Sequence, residues 1–186
     1  MPQLSEQQLI ASTQAWLRTV VIGHNFCPFA QRELEQNRIR CSVNASPDWA
    51  NGLQQLISEC LLLDADPAIT TTLIIFSQNL SHFDDYLDFL ALAEQLLQAQ
   101  GFHGTYQLAS FHPDYCFEGA SENDPANFTN RSPYPMLHLL REDSLASALR
   151  HYPQPEQIPE RNIVVARQLG FAKMQALLRA CYAAKG

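Results

Sequence analysis

Hydrophobic and polar residues follow two different periods along this chain, and the changes of period predict its elements. Apolar residues three or four positions apart predict helices before Gly23, after Ser46 and after Ser81. Alternating or continuous apolar runs predict strands at 38–43, 71–77 and 104–111. The order strand, helix, strand, helix, strand favours a parallel sheet with right-handed crossovers.

Start and stop signals add the remaining elements. Ser5 and Gln8 form a capping box for the first helix, and Cys27-Pro28 is predicted to open a short second helix that reaches Asn37. A fourth, shorter strand is predicted at 135–140, a helix capped by Asp143 follows, and two more helices begin near Pro159 and Phe171. The expected fold is α/β, with a three- to four-stranded mostly parallel sheet, crossover helices and extra N- and C-terminal helices.

Composition narrows the class of protein. The 186 residues are 46% apolar, which predicts one α/β domain over residues 1–186. A net charge of −7 disfavours nucleic acid and anionic membranes as partners. The N-terminus lacks the pattern of a signal peptide and no apolar run is long enough to span a bilayer, so we expect a soluble, cytoplasmic protein. The five cysteines contain no C-x-x-C pair, which predicts reduced thiols without a zinc knuckle.

Several motifs that would identify an enzyme class are missing. The sequence contains no G-x-G-x-x-G, no P-loop, no G-x-S-x-G and no H-E-x-x-H. Dinucleotide enzymes, P-loop NTPases, α/β-hydrolases and zincins are therefore disfavoured, and no cofactor is predicted.

The candidate chemistry lies in residues 111–142, a polar stretch without a helical or strand period. It follows the third predicted strand, so it should emerge at the carboxyl edge of the sheet, where open α/β sheets usually bind ligands. His112 and Asp114 could act as a base and its orienting carboxylate, or as metal ligands together with His138. Alternatively, Asp114 caps a turn and His112 packs at the sheet edge.

The same stretch carries groups suited to an anion. Arg131 and Arg141 offer forks of donors for a carboxylate or phosphate, and Asn130 and Tyr134 add neutral donors. This predicts a substrate-binding pocket. The arginines could instead pair with nearby acidic residues.

Cys27 is a further candidate, because a thiol at a helix N-terminus can be stabilised as a thiolate. His24 is close enough in sequence to serve as its base. In the alternative interpretation Cys27 is a small buried hydrophobe between Phe26 and Phe29.

Four blocks together resemble a known family: HNFCPFAQRELEQNRIR, LLDADPAITTTLIIF, YQLASFHPDYCFEG and NFTNRSPYPMLHLLREDSL, with IPERNI near the end. They resemble an uncharacterised bacterial family, domain-of-unknown-function family 1415, from roughly residue 8 to residue 170. The resemblance implies a single-domain bacterial protein whose shared blocks include residues 25–29, 111–115 and 130–140. It also implies that an apolar residue is common where His24 stands here, which makes His112 the better candidate base.

Three functions remain open from the sequence. The first is a small-molecule enzyme with His112, Asp114 and Cys27 as catalytic residues and an anionic substrate. The second is a ligand-binding or protein-interaction module that presents the aromatic residues of the loop. The third is a metal-binding protein that uses His112, Asp114 and His138. The oligomeric state is open.

Overall fold

The computed structural model describes residues 4–182, which form a four-stranded sheet between two layers of helices. The strand order is β1-β2-β4-β3, with β1 parallel to β2 and β4 antiparallel to both of its neighbours. The strands are β1 (Ile39–Asn44), β2 (Thr71–Phe76), β3 (Tyr106–Phe111) and β4 (Met136–Arg141). All four strands were predicted from the sequence to within about two residues.

The prediction of a mostly parallel sheet is wrong. Strands β1, β2 and β3 do point the same way, as the helical crossovers require, but β3 does not lie beside β2. The returning strand β4 fills the gap between them, which makes a split β–α–β unit. Of the three hydrogen-bonded pairs in the sheet, only β1 with β2 is parallel.

Helices cover both faces of the sheet. They are α1 (Glu6–Trp16), α2 (Ala30–Glu35), α3 (Trp49–Ala65), α4 (Phe83–Ala99), α5 (Glu142–Arg150), α6 (Ile158–Leu169) and α7 (Phe171–Cys181). A π-helical turn, Leu17–Ile22, prolongs α1 to Gly23. The predicted capping box is present, because Ser5 Oγ accepts from the N–H of Gln8 and Gln8 Oε1 accepts from the N–H of Ser5.

Alternate residues of β2 point into the two halves of the core, which explains why its whole sequence is apolar or small. Leu73 and Ile75 pack with Trp16 and Met174 under α1 and α7. Ile74 and Phe76 pack with residues of α3 and α4 on the opposite face. Every residue of β2 is buried, as expected for a strand with neighbours on both sides.

Some helix boundaries differ from the prediction. The second helix begins at Ala30 with Phe29 as its N-cap, so Cys27 and Pro28 lie in the preceding turn rather than in the first helical turn. Asp48 caps α3, whereas Ser46 accepts a hydrogen bond from the N–H of Asp48. Helix α5 begins at Glu142, before the predicted cap Asp143. At α3 the cap is a side-chain hydrogen bond, because the N–H of Ala50 donates to Asp48, whereas Phe29 and Arg141 precede α2 and α5 without one.

Candidate functional site

The long loop lies at the carboxyl end of β3, where the sequence predicted it. A short 3-10 helix, Pro125–Thr129, divides it before the chain returns to β4. The loop is joined to the end of β3 by backbone hydrogen bonds: the N–H of His112 donates to the Asn130 carbonyl at 3.2 Å, and the N–H of Ser132 donates to the His112 carbonyl at 3.4 Å. The loop is therefore an ordered extension of the sheet edge.

The ring of His112 holds two loops together. The residue is 0% exposed and packs against the rings of Phe83 and Tyr86. Its Nδ1 accepts from the N–H of Asp114 at 3.0 Å, so the proton lies on Nε2, which donates to the carbonyl of Leu80 at 2.9 Å. Burial lowers the pKa of His112 below its usual value. The ring is therefore neutral at pH 7, and both of its nitrogens are occupied.

The carboxylate of Asp114 makes no hydrogen bond to the imidazole of His112, with which the sequence paired it. Only its backbone N–H contacts His112, and the residue is exposed. Within residues 4–182 its carboxylate makes no hydrogen bond and no salt bridge. The carboxylate is available to solvent, but it does not orient the imidazole.

The guanidinium of Arg131 bonds mainly to backbone carbonyls of its own loop. Its Nε donates to the carbonyl of Tyr115 at 3.0 Å, its Nη2 donates to the carbonyl of Glu122 at 2.9 Å, and the guanidinium lies 4.9 Å from the centre of the Phe128 ring. Burial lowers the pKa of Arg131, although the charge of Asp114 opposes this shift. The backbone carbonyl of Arg131 also accepts from Nε1 of Trp16 at 3.0 Å. These contacts fix the shape of the loop.

Arg141 lies at the opposite end of β4 from Arg131. The strand Met136–Arg141 separates the two ends by about 17 Å. Arg141 donates to the Tyr106 hydroxyl at 3.0 Å and to the carbonyl of Leu63, and it lies 3.8 Å from Asp64. The structure does not bring the two arginines together around one anion.

The two neutral donors predicted for the pocket contact other parts of the fold, Asn130 the end of β3 and Tyr134 the residue after α7. Asn130 Nδ2 donates to the Ser110 carbonyl at 3.2 Å, and its Oδ1 accepts from the Thr129 hydroxyl at 3.0 Å. Tyr134 lies edge-on to Tyr182, with 5.7 Å between the ring centres. Among the residues proposed from the sequence, Asn130 and Arg131 lie in the loop that begins at His112, and Arg141 does not.

Cys27 is half-buried beside the core under α1 and α7. Burial raises the pKa of this thiol, and the backbone N–H groups of Phe29 and Ala30 only partly offset the shift. The thiol form therefore predominates at pH 7. The rings of His24 and Phe26 lie 5.9 Å apart, and His24 makes no hydrogen bond to Cys27.

His138 lies inside β4 rather than with His112. Thr71 Oγ1 donates to the Leu139 carbonyl at 2.6 Å, so it accepts from Nε2 of His138 at 2.7 Å. Burial lowers the pKa of His138 to about 4. Within residues 4–182 no group of three His, Cys, Asp or Glu side chains is placed to hold a metal ion. The metal site suggested for His112, Asp114 and His138 has no support in this arrangement.

Asn79, at the same edge of the sheet, was not among the residues predicted from the sequence. Asn79 follows β2 in the segment that leads to α4, next to Leu80, whose carbonyl binds His112. The amide Nδ2 and Oδ1 of Asn79 are buried, and neither has a hydrogen-bond partner within residues 4–182. Leu80 adopts φ +61°, a left-handed conformation that costs a branched side chain energy. The sequence signal was the polar run Ser77-Gln78-Asn79 that follows the buried strand β2.

A comparison with protein families shows to which family the chain belongs. A model described as "Protein of unknown function (DUF1415)" matches residues 8–176. The chain belongs to the DUF1415 family. The match confirms the resemblance found in the sequence blocks, and it brings no activity with it. No curated protein and no solved structure matches this DUF1415 chain.

No helix within residues 4–182 is both long enough and apolar enough to cross a membrane.

Proposed function

We propose that this DUF1415 protein binds a small polar molecule at the carboxyl edge of its sheet, with the Asn79 amide as a direct contact. The observation that carries the proposal is the pair of buried amide atoms, Nδ2 and Oδ1, that lack partners within residues 4–182. Each such group lowers stability by about 1–3 kcal/mol, and native structures contain few of them. A ligand that binds both atoms explains why a polar side chain is kept there.

The position of Asn79 supports the proposal. It lies just beyond the carboxyl end of β2, and ligands of open α/β sheets usually bind outside the carboxyl ends of the strands. The neighbouring Leu80 is strained and tied to His112, so the backbone on which Asn79 sits is held in place from the C-terminal side. Strained backbone conformations cluster at ligand sites.

The chemistry of the amide indicates the class of ligand. Nδ2 donates and Oδ1 accepts, so a group with an adjacent acceptor and donor satisfies both atoms at once. Carboxamides and the edges of nucleobases have this arrangement. A carboxylate alone would leave Oδ1 without a donor, so a carboxylate anion of the kind predicted from the arginines would have to carry a donor group as well.

The enzyme hypothesis is a more specific version of this binding proposal. In that form the bound molecule is a substrate, Asp114 supplies a carboxylate and Arg131 a positive charge, and Cys27 is a nucleophile or a wall of the pocket. The imidazole of His112 then acts as a positioning group, because both of its nitrogens are occupied by backbone atoms. Loss of turnover in Cys27→Ala with folding intact would support the nucleophile.

A stability measurement tests the role of Asn79 without knowledge of the ligand. Asn79→Leu replaces the unpaired amide with an apolar group of similar size, and we expect the free energy of unfolding to rise by about 1–2 kcal/mol. Urea denaturation of the purified protein measures this change. Gln78→Leu, at the adjacent exposed position, is the matched control and should change stability by less than about 0.5 kcal/mol. A loss of stability in Asn79→Leu would show that the amide serves the fold, and the proposal would be abandoned.

A panel of small molecules then tests binding. Nicotinamide, adenine and glutamine are compared with acetate and phosphate by thermal shift, because a ligand at a hundred times its Kd stabilises the native state by about 2.7 kcal/mol. We expect one of the amide or nucleobase compounds to raise the melting temperature of the wild type and to have no effect on Asn79→Leu. Equal shifts in both proteins would place the ligand elsewhere.

A further inference from the structure

Positive and negative charges are segregated along this chain. All twelve Lys and Arg lie outside residues 41–130, and that segment, which includes α3 and α4, contains twelve Asp and Glu. Two arginines reach α3 from the sheet, because Arg40 pairs with Glu59 and Arg141 lies 3.8 Å from Asp64. Within residues 4–182 no salt bridge reaches α4. This helix is therefore an acidic element without a cation of its own.

The outward face of α4 carries most of this charge. It is a row of exposed residues spaced three or four apart, which we call the α4 stripe: Asp84, Leu87, Asp88, Ala91, Glu94, Gln95 and Gln98. Asp84 and Asp88 stand four residues apart, and like charges at this spacing destabilise a helix. Neither Asp88 nor Glu94 has a Lys or Arg three or four residues away that could offset its charge. A cation from outside the chain would relieve this repulsion.

A groove lies beside the α4 stripe, between α4 and β3. Its volume of about 410 Å³ falls within the range of pockets that bind ligands, roughly 300–1,000 Å³. Leu108 adds apolar surface to it and Glu142 adds a carboxylate, and it is also lined by four residues of the stripe: Ala91, Glu94, Gln95 and Gln98. No Lys or Arg is among its lining residues. The groove therefore continues the acidic surface inward.

Exposed leucines lie within the same acidic surface. Leu87 is 42% exposed and stands one helical turn before Ala91, so it extends the wall of the groove along α4. Leu92, on the other side of Ala91, is also 42% exposed. Apolar side chains bordered by polar and charged groups are typical of protein interfaces, in which the apolar contact supplies affinity and the charges supply orientation.

The distribution of these groups favours a polypeptide over a small cation. From Asp84 to Glu94 the stripe extends about 15 Å, since each helical residue adds about 1.5 Å. A single amine would reach only part of it, and it would leave the leucines uncovered. Nucleic acids and anionic membranes carry phosphates, which these carboxylates repel. Lys and Arg side chains carry their charge on an apolar stem, which suits a surface of carboxylates and leucines.

We propose that the α4 stripe and its groove are a docking surface for another protein, which binds through a basic amphipathic helix. Charge complementarity carries the proposal, because such a helix brings the cations that α4 lacks. Its apolar face covers Leu87 and places a side chain in the groove, as helices do when they bind in grooves. The inference is independent of the ligand proposed above, because Asn79 precedes α4 and does not line this groove.

Two synthetic peptides of the same composition test the surface. Both contain only leucine and lysine and are about 15 residues long, which is long enough for a helix. In one peptide the leucines share a single helical face, and in the other they are spread around the helix. Fluorescence anisotropy with the full-length protein should show that the amphipathic peptide binds at least about tenfold more tightly. Equal affinities, or no binding of either peptide, would overturn the proposal.

Variants of the protein locate the contact. Asp88→Lys should weaken binding of the amphipathic peptide at least about tenfold, whereas Glu35→Lys makes the same change of charge at an exposed position of α2 and should weaken it less than about twofold. Leu87→Gln should weaken binding at least about fivefold, and Val164→Gln, at an exposed position of α6, is its matched control. Equal losses in the stripe variants and their controls would assign the attraction to net charge and overturn the proposal.

Two further measurements distinguish other occupants of the surface. Circular dichroism first confirms that each variant is folded. Spermine that displaces the amphipathic peptide at an equal concentration would show that a small cation is sufficient, and the proposal would fail. Sedimentation equilibrium should show that Asp88→Lys has the same mass in solution as the wild type. A wild type that self-associates, with the association lost in Asp88→Lys, would make a second copy of this chain the occupant and overturn the proposal.

Discussion

The neutral state of His138 predicts how the stability of this protein depends on pH. In the folded protein burial lowers the pKa of His138 from 6.5 to about 4. The unfolded chain therefore binds more protons than the folded chain between these two values, and stability falls as the pH is lowered. The contribution is fully present above pH 6.5 and is lost progressively as the pH falls towards 4.

The magnitude follows from the two pKa values. The complete loss amounts to about 3 kcal/mol, since one pKa unit corresponds to about 1.4 kcal/mol. Integration gives about 0.8 kcal/mol lost by pH 6 and about 2 kcal/mol lost by pH 5. Native domains have only about 5–15 kcal/mol of stability, so this change is readily measured.

Urea denaturation at a series of pH values provides the assay. His138→Gln keeps a donor for Thr71 but does not titrate, so its stability should fall less steeply than that of the wild type between pH 6.5 and 5. His112 also has a lowered pKa and contributes in the same direction in both proteins, so the difference between them isolates His138. His103→Gln removes an exposed histidine and should keep the slope of the wild type. If the curves of the wild type and His138→Gln ran parallel, His138 would not be held neutral by burial and the argument would fail.

Two other predictions concern buried polar contacts. His112→Phe leaves the Leu80 carbonyl and the Asp114 N–H without their partner, so we expect the free energy of unfolding to fall by about 2–4 kcal/mol, as measured by urea denaturation. An unchanged stability would contradict the role of the ring in joining the two loops. Arg40→Met leaves the buried carboxylate of Glu59 without its paired arginine, and the expected loss is about 3–5 kcal/mol. Arg40→Met combined with Glu59→Leu should recover most of that loss, and a double variant as unstable as the single one would refute the account.

The elements of the fold could be predicted because their signals are local. The capping box at Ser5, the apolar run of β2 and the glycine that follows α4 each act within a few residues of the chain. The pairing of β4 could not be predicted in this way. The sequence of β4 does not show whether this strand lies at an edge of the sheet or between β2 and β3. Its position depends on whether the crossover through α4 places β3 beside β2 or one strand further away.

The loop was located correctly from the sequence, but the uses of its side chains were not. Histidine, arginine and asparagine were proposed as site residues because their side chains can bind ligands or transfer protons. The same donors and acceptors can also hydrogen-bond to the backbone of a loop that is not paired with a neighbouring strand. Arg131 bonds to the carbonyls of Tyr115 and Glu122, and Asn127 bonds to the N–H of Phe117 and the carbonyl of Ser121. Sequence alone does not show which of these groups face inward.

This distinction changes where a ligand should be sought at the carboxyl edge. A polar side chain whose hydrogen bonds are complete within the fold gains little from a ligand, because binding would first have to break them. His112, Asn130 and Arg131 are largely of this kind. The Asn79 amide is of the opposite kind: it already lowers the stability of the fold, so a ligand that bonds to it recovers that free energy on binding. The unsatisfied amide on the loop after β2, rather than the more reactive residues of the long loop, is therefore the first position at which mutation should separate binding from folding.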